Sequence, residues 1–198
     1  MHKKPFSQAC ENNKAPILSV IKDLFATSSG VLEIGSGTGQ HAVYFAENLP
    51  HLTWFPSDRP ENLKGIEMWL EGVGLENLKQ PVVLDVCQRG WPAIKVDAVF
   101  TANTAHIMKW YEVELLFKGV AGLLPGGGIF ALYGPVNYHN RYTSDSNAQF
   151  DAMLKTRDPE SGIRNFEDLN RLAVSTGMIL QDDFDMPANN RIICWRKK

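Results

Sequence analysis

Five short apolar runs follow one another along the chain, most of them separated by stretches of helical periodicity, and two more runs close the sequence with only a turn between them. The runs are "GVLEIG", "LTWFPSD", "PVVLDV", "VDAVFTAN" and "IFALYGPV"; the closing pair is "MILQDDFDM" and "RIICWRK", joined by "PANN". Between them lie amphipathic stretches such as "HAVYFAENL", "PENLKGIEMWLEGVG" and "YEVELLFKGVAGLL". Apolar runs alternating with helical stripes predict βαβ units and a doubly wound, Rossmann-like α/β sheet. The closing hairpin predicts that one strand of this mostly parallel sheet runs antiparallel. Residues 12–26 place Ile17, Leu18, Ile21, Leu24 and Phe25 on one helical stripe, with Asn12 or Asn13 as the expected N-cap. The segment 137–165 is longer and more polar and reads as a cap-like insertion over the ligand edge of a single domain spanning residues 1–198.

Composition narrows the function classes. A chain of 198 residues can bury one full core, and a net charge of −2 gives no global field toward nucleic acid or an anionic membrane. No apolar run reaches bilayer length, and "MHKKPFSQACENNK" lacks the apolar region of a signal peptide. Cys10, Cys87 and Cys194 are odd in number and form no CxxC pair, which argues against a disulfide framework or a zinc site. Reduced thiols of this kind suit a cytoplasmic protein with no metal. The oligomeric state is left open by the sequence.

The stretch "VLEIGSGTGQH" sets three glycines, Gly35, Gly37 and Gly39, directly after the first strand. In a doubly wound sheet a ligand binds beyond the carboxyl ends of the strands, beside this strand. A triphosphate loop would need GxxxxGK[ST], which is absent. A dinucleotide fingerprint would want a third glycine where Gln40 stands, and no Tyr-x-x-x-Lys pair supports an NAD(P)-dependent oxidoreductase. What the sequence offers instead is E-x-G-x-G-x-G from Glu33 to Gly39. Asp58 ends the second strand and Asp85 the third. Carboxylates suit a ligand bearing an ammonium and a sulfonium, and they would repel a pyrophosphate.

On these residues the sequence resembles the class I S-adenosylmethionine-dependent methyltransferases. "ACENNKAPIL", "SGTGQHAVYFA", "NTAHI", "FDAMLKTRDPESGIR" and "DMPANNRIICWRK" resemble, over nearly the whole chain, the family of methyltransferase-like protein 26, which brings no assigned substrate. The resemblance implies a class I methyltransferase fold and S-adenosyl-L-methionine as cofactor. It implies that Glu33, Gly35, Ser36, Gly37 and Gly39 hold the amino acid end. Asp58 would take the ribose hydroxyls, and Asp85 with Val86 the adenine.

Candidates for the chemistry lie at the ends of the fourth and fifth strands. Asn103 is a polar contact for cofactor or substrate, or simply a turn former; His106 is a general base of near-neutral pKa, or a loop histidine bonded to backbone. Tyr133 faces the substrate or closes a core edge. Arg141, Arg157 and Arg164 bind an anionic group or make structural pairs. The absence of an (Asn/Asp/Ser)-Pro-Pro-aromatic string after the fourth strand disfavours nucleic-acid bases, and the absence of acids there disfavours a magnesium-assisted reaction. A small polar molecule is the expected acceptor. The rival reading is a non-catalytic protein that keeps the fold and works through a partner.

Overall fold

The computed structural model describes residues 4–88 and 90–198. By its internal contacts the chain divides into two compact units, Met1–Thr101 and Ala102–Lys198.

The first unit opens with helix α1, Gln8–Leu24, whose N-cap is Ser7; the Ser7 side chain accepts from the Cys10 N–H. The helix thus begins four residues before the expected position 12. Asn13, expected as a cap, is buried inside the helix. A cap must lie where four backbone N–H groups lack partners, and a preceding serine in extended conformation supplied that earlier than the apolar stripe suggested. Strand β1, Gly30–Ile34, is buried at every position. After it come α2 (Gln40–Asn48), β2 (Thr53–Asp58), α3 (Pro60–Leu70), β3 (Val82–Val83) and β4 (Ala98–Ala102). The four strands stand in the order β3-β2-β1-β4, all parallel. Glu33 pairs in register with Pro56, and Asp58 with Val83.

Phe45, Trp54 and Phe100 form the centre of this unit, with ring centroids 5.4–6.2 Å apart. Ile17 and Ile21 of α1 and Ile66 of α3 are fully buried with them. "PVVLDV", read as a full strand, pairs only over Val82–Val83, because the chain turns at Val86 and Cys87. Part of its place beside β2 is taken earlier, where Trp54 bonds backbone to backbone with Asn77 and Lys79.

In the second unit the elements are α4 (Trp110–Leu123), β5 (Ile129–Gly134), β6 (Val136–Asn137), α5 (Asp145–Arg157), β7 (Arg164–Asn165), α6 (Phe166–Ser175), β8 (Met178–Met186) and β9 (Asn190–Lys197). Strand β9 pairs antiparallel with both β5 and β8, as the closing hairpin predicted. Its turn is a short 3-10 segment, Pro187–Asn189, with Ala188 and Asn189 at positive φ. Phe117, Phe130 and Trp195 make the aromatic core, 5.3–5.6 Å between centroids. The short parallel pair β6–β7 was not anticipated, since two residues show no periodicity. The class is α/β, mostly parallel with an antiparallel C-terminal hairpin. Among the described residues no helix is long and apolar enough to cross a membrane.

Asn77 closes the end of α2: its side-chain amide donates to the carbonyls of Ala46 (2.8 Å), Leu49 (3.4 Å) and Leu52 (3.0 Å). Removing the amide takes a donor from each of these buried residues' carbonyls. Asn77→Ala is therefore expected to lower stability by about 1–3 kcal/mol, measured by urea unfolding, with the fold retained.

Candidate cofactor-binding site

The glycine loop is knitted to the end of β2 by backbone. Gly35 and Ser36 both donate to the Ser57 carbonyl, at 2.9 and 3.0 Å. The Ser57 N–H returns a bond to the Ser36 hydroxyl, and the Ser57 hydroxyl donates to the Glu33 carbonyl. This double anchoring needs a chain path with φ of +74° at Gly35 and +57° at Gly37, which glycine adopts without steric cost. Around Gly37 an added Cβ would meet nothing within 4 Å, so this part of the loop leaves open room for a ligand. Gly39 differs. Its missing Cβ would stand 3.0 Å from the Ile66 backbone and 3.2 Å from Trp69, so Gly39 does the close helix packing that was sought at Gln40.

Glu33 lies behind the loop, 1% exposed, and accepts a hydrogen bond from the Trp54 indole at 2.9 Å. Burial lifts its pKa to about 7 against the pull of the Trp54 and Ser36 hydrogen bonds, and the charge of Asp58 adds to the lift. Asp58 presents both oxygens to donors: one takes the Gly37 N–H at 2.7 Å, the other the Arg59 N–H and the Asn62 amide at 2.8 Å. Asp85 is half-buried just past β3 and accepts from the Cys87 N–H at 2.9 Å, while Val86 beside it is buried. The unit thus brings Glu33, Gly35, Ser36, Gly37, Gly39 and Asp58 together at one sheet edge. Asp85 sits at the end of the adjoining strand. Sequence reasoning missed Trp54, Asn62 and Gln40. Trp54 carried a signal, an aromatic donor on the strand next to a buried acid, but only the β1–β2 register shows which face it takes.

The remaining candidates belong to the second unit. Asn103 has φ +59°, a turn conformation that asparagine tolerates, and its N–H donates to the Tyr133 carbonyl at 2.9 Å. Next to Tyr133, a Cβ at Gly134 would lie 3.7 Å from His106 Nδ1 and 3.9 Å from Asn103 Oδ1. His106 and Asn103 therefore converge on the end of β5. His106 is buried, its ring edge-on to Phe150 at 5.2 Å. The expected near-neutral pKa does not hold. Burial, with the fields of Arg164 and Arg157, lowers it to about 4, so the imidazole is neutral at pH 7. Tyr133 is 3% exposed within β5.

The insertion is tied down by buried charge. Asp151 of α5 accepts from the Ile163 N–H (2.6 Å), the Tyr142 hydroxyl (2.7 Å) and Lys155 (2.6 Å). Arg164 spends its guanidinium on the carbonyls of Ala105, Met108 and Glu160. With the Gly162 N–H bonded to the His106 carbonyl, these contacts fix the loop that carries His106. Of the three arginines, Arg164 thus braces backbone.

The fold is that of solved methyltransferases. An O-methyltransferase family protein from Burkholderia thailandensis superposes with a TM-score of 0.83 at 15% identity, over 96% of this chain and 57% of that one. Human N-acetylserotonin methyltransferase, in complex with S-adenosylmethionine, gives 0.81 at 16%, over 96% and 53%. An O-methyltransferase family 2 protein from Planctomyces limnophilus, in complex with apigenin, gives 0.76 at 18%, over 85% and 51%. The chain thus spans just over half the length of these proteins, and at such identities the likeness is one of fold. That fold is the class I methyltransferase fold. A family model described as a protein of unknown function (DUF938) matches residues 4–197, so the chain belongs to that family.

Proposed function

We propose that the protein is an S-adenosylmethionine-dependent methyltransferase acting on a small polar acceptor, with residues 1–198 as one methyltransferase domain. The observation that carries this reading is the set of three carboxylates, Glu33, Asp58 and Asp85, closing three neighbouring parallel strands beside an open glycine loop. The chemistry of that donor set fits an ammonium, a ribose diol and an adenine amino group, and it is unsuited to phosphates. The fold of the solved methyltransferases and the motif likeness to the methyltransferase-like protein 26 family support the same assignment.

In this reading Glu33 meets the ammonium, Gly35, Ser36, Gly37 and Gly39 give backbone approach, Asp58 takes the ribose hydroxyls, and Asp85 with Val86 takes the adenine. When bound, the cofactor supplies an electrophilic methyl group on a sulfonium. The protein's tasks are then positioning and exclusion of water. His106, neutral at pH 7, orients the acceptor by a hydrogen bond; a group with a pKa near 4 draws a proton from an acceptor only weakly. Asn103 supplies a polar ligand contact and Tyr133 faces the acceptor from the end of β5. A cytoplasmic setting suits the free thiols.

Calorimetry with S-adenosylmethionine or S-adenosylhomocysteine is expected to show one binding event. Asp58→Ala should weaken it by about ten- to a hundredfold, the loss of hydrogen bonds to a charged group. Binding of NADH in place of both compounds would sink the reading.

Glu33 makes the stability of the unliganded protein depend on pH. Its folded pKa of about 7 lies above the ordinary 4.5, so its contribution is fully present below pH 4.5 and is lost as pH rises through 7. Glu33→Gln removes that loss. Relative to wild type it should be more stable at pH 8, by up to about 3 kcal/mol, and little changed at pH 4. Urea unfolding at the two pH values checks this. Saturating cofactor should reverse the order at pH 8, because the ammonium gains from the carboxylate alone.

A further inference from the structure

We propose that Gln40 is a positioning residue that latches residues 5–13 over the glycine loop, so that the first turn of α1 covers the amino acid end of the bound cofactor. The inference rests on the cofactor reading above and assigns a role to the residue that departs from the dinucleotide pattern.

Gln40 is the first residue of α2, directly after Gly39, and is 2% exposed. Its amide is fully used, and nearly all its partners lie on the N-terminal segment. The carbonyl oxygen accepts from the Ser7 N–H at 2.6 Å and from the Thr38 hydroxyl at 3.0 Å. The amide nitrogen donates to Glu11 at 2.6 Å and to the Ser7 carbonyl at 3.3 Å. Ser7 is the N-cap of α1 and Glu11 sits in its first turn. One side chain therefore joins the loop (Thr38), the cap and the first turn. Lys14 and Gln40 together hold the Glu11 carboxyl below its usual range, so Glu11 stays an acceptor at neutral pH.

Two further attachments flank the latch. On one side His41 bonds Asn13 at 2.7 Å, both buried. On the other the Trp69 indole donates to the Pro5 carbonyl at 2.6 Å, with Lys4 stacked 3.7 Å above the Trp69 ring. The strap is accommodated there by Gly65, where a Cβ would meet Pro5 at 3.0 Å. Between these points lies Cys10. Its thiol bonds toward Ser7 and Thr38 and feels the charge of Glu33, so this turn faces the loop and the buried acid. A clasp of polar bonds, each worth only about 1 kcal/mol net, can open and reclose. A ligand seated on the loop and Glu33 leaves only when the clasp opens.

The probe is S-adenosylhomocysteine with the full chain. Stopped-flow displacement gives its dissociation rate, and iodoacetamide labelling read by mass spectrometry reports Cys10, with buried Cys194 as internal reference. Gln40→Ala is expected to speed dissociation about tenfold, to speed Cys10 labelling without ligand, and to abolish its protection by ligand. Gln40→Glu should act likewise, since a second carboxylate would then face Glu11. The double exchange Glu11→Gln with Gln40→Glu restores a matched donor and acceptor, and should return slow dissociation and Cys10 protection. Glu11→Gln alone, which leaves Gln40 in place, serves should the Gln40 variants fail to fold, and should loosen the clasp in the same sense. Wild-type rates and labelling in these variants would overturn the latch, as would a faster rate that the double exchange does not reverse. Lack of ligand binding by the wild type would overturn the cofactor reading instead, while Cys10 labelling of the unliganded variants would still decide the latch.

Discussion

A carboxylate shut away from water at the end of β1 sets the terms for the N-terminal unit. Glu33 is buried within a parallel sheet most of whose buried positions are apolar, and an acid in that setting costs free energy unless it is neutral or paired. The Trp54 indole supplies one donor, which requires β2 to lie beside β1 in the observed register. That register sets Ser57 level with Ile34 and lets its carbonyl take both loop N–H groups. The glycine loop is thus held by the same strand that presents Asp58 to Gly37. The placement of the acid, the loop and the second acid follows from one strand pairing.

The division of labour among the loop residues follows from space. Gly39 is required where α2 and α3 meet, because any side chain would strike the Ile66 backbone. With that packing already provided, position 40 is free to carry a long amide, and the amide reaches outward to α1. The pattern that seemed to miss a glycine has moved the packing glycine by one place. It uses the vacated position for an attachment that a glycine could not make.

In the C-terminal unit the polar insertion is organised by buried groups rather than by an apolar stripe. Asp151 gathers a backbone N–H, a hydroxyl and an ammonium, and a Cβ at Gly162 would lie 2.8 Å from one of its oxygens. Arg164 accepts desolvation in exchange for three carbonyls, including those of Ala105 and Met108 on either side of His106. Burial, with the positive fields of Arg164 and Arg157 added, keeps His106 unprotonated. A histidine that the sequence offered as a neutral-pH base is a buried, unprotonated ring set edge-on to Phe150.

The sequence by itself determined the class of fold, the place of the glycine loop and of the acids at neighbouring strand ends, and the antiparallel hairpin, because periodicity, glycine spacing and strand-end carboxylates are local properties of the chain. It also offered Asn103, His106 and Tyr133 as candidates near strand ends. The helix boundary at Ser7, the short ladder of β3, the β6–β7 pair and the partners of Glu33 and Gln40 were decided only by tertiary structure. Each depends on which groups meet across tens of residues. So does the ionisation of Glu33 and His106: the residue type sets an ordinary pKa, and only burial with its neighbouring charges moves it, in opposite directions for an acid and a base.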